Sequence, residues 1–112
     1  MAPNQPNPNN SLRDLSQVLG AEGTREIVRL FLHDFPESMR RLGSASHVDQ
    51  LRIIHGIKSS ALHMGARQLS ERLAEVEDRM AAEGGSPLPR EIAGIISDFG
   101  EVLPELRKFA SG

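Results

Sequence analysis

The chain has 112 residues, 38% of them hydrophobic, and a net charge of -2 from 13 basic and 15 acidic side chains. One modest core and a single domain are expected at that size, while the balanced charge and the lack of Trp and Tyr offer nucleic acid neither a basic footprint nor stacking platforms. The absence of cysteine excludes disulfides and thiolate metal sites.

Met1 to Asn10 is rich in Pro and Asn and poor in apolar residues, which predicts a disordered leader (residues 1–10) ahead of a folded domain over residues 11–110. It lacks the apolar core of a signal peptide, and no later run approaches the ~20 apolar residues of a membrane span. No membrane association is expected, and the protein is read as cytoplasmic. Ser11, with Asp14 three residues on, reads as a capping-box variant that opens a short helix carrying Leu12, Leu15, Val18 and Leu19 and closed by Gly20. A second helix is predicted from Thr24 to about Leu42, burying Ile27, Phe31, Phe35, Met39 and Leu42, with a bend at Pro36. Gly43 ends it.

The third helix starts after Ser46, whose hydroxyl can cap it with Asp49 at the right offset, and runs to Met64. A fourth, from Ala66 to about Glu83, buries Leu69, Leu73, Val76 and Met80 and shows Arg72, Glu75, Asp78 and Arg79 to solvent. After the Gly84-Gly85-Ser86-Pro87-Leu88 loop, Pro89 begins a last helix with Ile92, Ile95, Ile96, Phe99, Val102 and Leu106 inward and a bend or break at Pro104. There is no alternating strand pattern and no repeat. The expected fold is therefore all-α: an antiparallel four-helix bundle with an additional short N-terminal helix.

Function concentrates in the third helix. At 3.6 residues per turn, Ile53, Ile57, Ser60 and Met64 fall about 140 to 200 degrees from His55, so they form the core stripe and His55 points outward. Val48, Leu51 and Leu62 lie within about 40 degrees of His55, with Lys58 and Arg52 about 60 degrees to either side. Most helix-surface histidines have no chemistry. An imidazole with a pKa near 6.5 is nonetheless partly neutral and nucleophilic at cellular pH, and a lysine three residues on can stabilise phosphoryl oxygens by charge-assisted hydrogen bonds.

The run His55-Gly56-Ile57-Lys58-Ser59-Ser60-Ala61-Leu62-His63-Met64-Gly65-Ala66 resembles the signature of the histidine-containing phosphotransfer (HPt) domains of two-component phosphorelays. His55 matches the phosphoacceptor and Lys58 its basic partner. Ile57, Ala61 and Met64 match the buried positions, and Gly65 and Ala66 the terminal pair. Ser59 stands where the family usually has glycine, which implies less clearance for an approaching receiver and an altered partner preference. The resemblance covers about four-fifths of the chain. It implies a phosphohistidine carrier serving response-regulator receiver domains, a hybrid histidine kinase or both. The receiver would supply Mg²⁺, and this chain would bind no cofactor. Val48, Leu51, Arg52, Ser59 and Leu62 form the expected docking patch, the alternatives being that the apolar members contact the N-terminal helix or are scattered surface residues and that Arg52 simply pairs with Asp49. Glu77 on the fourth helix either faces the same region or is a solvated carboxylate.

Two rival readings have less support. His47, His55 and His63 recur every eight residues, which separates neighbours by about 12 Å along a helix, too far to ligate one metal ion; no metal site is expected. No phosphate-binding loop or kinase catalytic motif occurs, so ATP-dependent kinase activity is not expected. A helical module that docks on receiver or kinase domains without phosphotransfer stays open as the alternative function. The chain is expected to act as a monomer.

Overall fold

The computed structural model describes residues 8–112. Four helices form in chain order: α1 (Pro8–Leu42), α2 (His47–His63), α3 (Arg67–Glu83) and α4 (Pro89–Ser111), and no strand is present among the described residues. Each helix packs on two others, with α2 between α1 and α3 and α4 closing the ring against α1 and α3. The core is the apolar stripe of each helix, centred on Val28, Ile54, Leu73, Ile95 and Leu106, all fully buried.

The N-terminal part differs most from the sequence expectation. Of the predicted leader, residues 1–7 lie outside the described residues, and Pro8–Asn10 already belong to α1. Ser11 is therefore inside the helix and does not cap it. Proline is tolerated in a first turn, where its missing N–H has no helical partner to lose. Gly20 interrupts α1 at φ 81° and ψ 163°, a conformation open essentially to glycine alone, and the helix resumes directly after it. The fully buried Thr24 braces the break, its hydroxyl donating to the Gly20 carbonyl at 2.8 Å. Upstream, Leu12 is buried and Leu15 half-buried, whereas Val18 and Leu19 are exposed.

Beyond Gly20 the inward stripe of α1 is Val28, Phe31, Phe35 and Leu42, with Met39 half-buried. Ile27 was expected inside, but it is exposed and Val28 replaces it, a rotation of about 100 degrees around the axis. Ring packing selects that face. Phe35 stacks on Phe99 of α4 at 3.8 Å between centroids, and Phe31 meets Phe99 edge-on at 5.9 Å. Gly20 is the one residue of α1 with non-helical backbone angles, so the chain stays helical through Pro36, whose ring faces outward.

Two expectations about α3 and α4 also change. Arg72 and Arg79 are not simply solvated: each crosses to α4. Arg72 pairs with Asp98, which is buried and also accepts from Gln68 Nε2 at 3.1 Å. Arg79 grips Glu91 bidentately at 2.7 and 3.0 Å and donates to the Ser86 carbonyl at 3.0 Å. Glu91 in turn accepts from the Leu88 amide, satisfying one of the free N–H groups where α4 starts at Pro89. Ile96 is exposed, while Ile95 and Phe99 carry the inward face.

Candidate functional site

The local sequence fixes α2 at both ends. The Asp49 amide donates to Ser46 Oγ at 3.2 Å to start it, and Gln50, buried beneath, donates to the Leu42 carbonyl and ties that start to the end of α1. At the other end Gly65 adopts φ 76°, and the Ala66 amide bonds back to the Ala61 carbonyl at 2.9 Å, closing the turn into α3. The inward stripe of α2 is Ile54, Ile57, Ala61 and Met64. Ile53 and Ser60, expected on that stripe, are half-buried and line a cavity of 350 Å³ between α1 and α2 together with Phe31, Phe35 and Gly56. The core of α2 is thus centred between α1 and α3, not on one of them. A buried hydroxyl that bonds to backbone is that of Ser70 of α3, which donates to the Lys58 carbonyl at 3.2 Å.

His55 projects outward, its side chain 65% exposed, and leans toward α3. Its Nδ1 lies 3.0 Å from Glu77 Oε2, and Lys58 Nζ lies 2.5 Å from Glu77 Oε1. One carboxylate thus receives both His55 and Lys58 of α2. Burial pushes the Glu77 carboxyl up, but the hydrogen bonds from Lys58 and His55 outweigh it and hold the group below the usual carboxylate range. Glu77 is therefore ionised near neutral pH and can only accept, so the proton of this hydrogen bond sits on Nδ1. In the neutral ring the lone pair is then on Nε2, the nitrogen turned away from Glu77.

Around this triad the expected docking residues separate. Val48 and Leu62 are exposed large apolar side chains on the outward face of α2, and Ser59 is exposed between them. Leu51 is half-buried against the core. Arg52 pairs loosely with Asp49 at 3.6 Å on the same helix and stays open to solvent. Gly56, the next residue after His55, has nothing within 4 Å of where a side chain would begin and lies on the side of α2 that lines the cavity with α1.

The other histidines are dispersed. His47 bonds the Gly85 carbonyl at 2.9 Å, His33 lies beside Asp34 at 3.2 Å, and His63 is exposed in the last turn of α2. Glu77 is the residue whose place the sequence left undecided. Its signal was positional: His55 and Glu77 are equally distant from Ala66, the hinge of a tight turn between two helices, and such residues come to face each other.

A family profile described as "Hpt domain" matches residues 26–108. Searches of curated proteins and of solved structures find no match.

Proposed function

Because the chain belongs to the Hpt domain family, we propose that it carries a phosphoryl group on His55 between receiver-domain aspartates in a multistep phosphorelay. The observation that supports this most directly is the geometry of His55: an exposed imidazole whose Nδ1–H is engaged by Glu77, leaving Nε2 free to attack. In the forward step the Nε2 lone pair displaces the partner's carboxylate at phosphorus. The P–O bond of the aspartyl phosphate breaks as the P–N bond forms. Nδ1 keeps its hydrogen, and the positive charge on the ring is offset by Glu77. The reverse step passes the group to a second aspartate. Lys58 supplies the cation near the phosphoryl oxygens, and positioning and charge account for most of the rate. Mg²⁺ would come with the receiver.

The same reading takes the protein as a co-substrate without ATP-dependent kinase activity, acting as a cytoplasmic monomer that meets receiver domains, a hybrid kinase or both. No helix among the described residues is long and apolar enough to cross a membrane. It also takes the bundle as antiparallel, with the segment before Gly20 as an added N-terminal helix and residues 11–110 as the functional unit. Val48, Leu51, Arg52, Ser59 and Leu62 would contact the receiver around His55.

The test is a panel of phosphorylated receiver domains from the same genome, mixed with the protein and with His55→Gln. Acid-labile, base-stable label should appear on the wild type and not on the variant. Binding without transfer to any receiver would favour the second reading, a docking module, for which the exposed Val48 and Leu62 would serve equally well.

A further inference from the structure

We infer that the Glu77 carboxylate sets how readily His55 gives up its phosphoryl group, because it competes with that group for Lys58. The inference rests on His55 being the phosphoacceptor and adds what determines the balance of the transfer.

In the unphosphorylated state Lys58 is already committed. Its ammonium is 2.5 Å from Glu77 Oε1, and both side chains are largely shielded, 27% and 20% exposed, so solvent screens the pair less than an ordinary surface ion pair. A phosphoryl group on Nε2 brings close to two negative charges to the far edge of a ring whose near edge is bonded to the same carboxylate. Lys58 has three N–H donors but a single charge, and shared between two anions it holds each less tightly than it holds Glu77 alone. If it stays with Glu77, the phosphoryl group lacks its cation; if it turns, Glu77 loses its closest partner and faces a like charge. Glu77 also offsets the charge that phosphorylation leaves on the ring, but that imidazole is 65% exposed whereas the Lys58 pair is shielded, so the net effect of Glu77 is to stabilise the unphosphorylated state and to hold the group on His55 at high transfer potential.

The residue has a second role that can be separated from the first. Glu77 also fixes the proton on Nδ1. A glutamine has the same shape and can still accept that hydrogen bond through its carbonyl oxygen, but it carries no charge to hold an ammonium. Glu77→Gln therefore releases Lys58 while leaving the tautomer in place.

The experiment uses phosphoramidate, a small-molecule donor that needs no partner protein. Nε2 attacks phosphorus, the P–N bond to nitrogen breaks, and ammonia leaves with the hydrogens it already carried. At fixed ammonium concentration, ³¹P NMR gives the equilibrium constant between free and phosphorylated protein, with circular dichroism verifying that each variant is folded. Glu77→Gln should raise this constant about three- to tenfold, and the gain should disappear in a Lys58→Met background. An unchanged or lower constant, or a gain undiminished without Lys58, overturns the inference. Failure of the wild type to form any phosphohistidine is a different result: it removes the acceptor reading and this inference with it. A second measurement needs no variant. The ¹⁵N signal of Lys58 Nζ and the ¹³C signal of the Glu77 carboxyl should both move when the wild type is phosphorylated, and signals that stay in place would mean the pair does not compete.

Discussion

Two seams of the bundle are laced by ion pairs, and they are built differently. Between α3 and α4, arginines meet carboxylates of their own: Arg79 grips Glu91 through two nitrogens, and Arg72 reaches the buried Asp98. Between α2 and α3, one carboxylate is divided between a histidine and a lysine, with the imidazole largely open to solvent. Planar, bidentate arginine pairs lock a geometry, whereas a shared acceptor leaves two donors able to find another partner. The first seam is a staple and the second is poised for chemistry.

That contrast breaks most visibly at its extremes. His55→Gln should abolish phosphoryl labelling from phosphorylated receiver domains while shifting unfolding free energy by no more than about 0.5 kcal/mol, because the side chain is exposed; labelling and a urea melt check both. Asp98→Ala should do the reverse. It leaves Gln68 and Arg72 without their buried acceptor and should cost about 1–3 kcal/mol in the melt, with the equilibrium constant for phosphorylation unchanged.

Acid should act on both seams. Burial pushes the Glu77 and Glu91 carboxyls up, but hydrogen bonds from their basic partners outweigh it and hold both below the ordinary carboxylate range. A depressed carboxyl contributes stability that is present above its unfolded value and lost as pH falls through the folded one. The urea midpoint should hold down to the ordinary carboxylate range and drop below it, and Glu77→Gln with Glu91→Gln should flatten that drop. The smallest effect belongs to Arg52→Ala. Its pairing with Asp49 is long and exposed, so stability should change by less than about 0.5 kcal/mol, while transfer from a receiver should slow severalfold if the outward face of α2 is the docking surface.

The helices were legible in the sequence wherever a local rule sufficed. The Ser46 cap, the Gly65 turn, the Pro89 start and the stripe Leu69, Leu73, Val76 and Met80 needed only periodicity and end chemistry. His55 and Lys58 were legible because their spacing is local too. What was missed depends on how helices face one another. Ile27 and Val28 are adjacent apolar residues, and only the ring cluster with Phe99 decides which points inward. Arg72 and Arg79 look like solvated charges until α4 lies alongside. Glu77 was undecided for the same reason, since no pattern within α3 distinguishes it from its charged neighbours. The break at Gly20 was legible, but not how closely the next helical segment follows it, because a glycine that ends a helix before a loop and a glycine that kinks directly into another helix read alike.

The loop between α3 and α4 has the composition of a flexible linker, with Gly84 and Gly85 both at positive φ, yet it is fastened at three points. Arg79 of α3 reaches the Ser86 carbonyl, His47 of α2 bonds the Gly85 carbonyl, and Pro87 is buried. Its opening therefore requires separating those elements, so its amides should exchange hydrogen with the bundle as one cooperative unit. A circular permutant opened between Gly85 and Ser86 would cut a tie and not a tether, and the glycine pair that looks like the natural place to divide the chain would be a poor one.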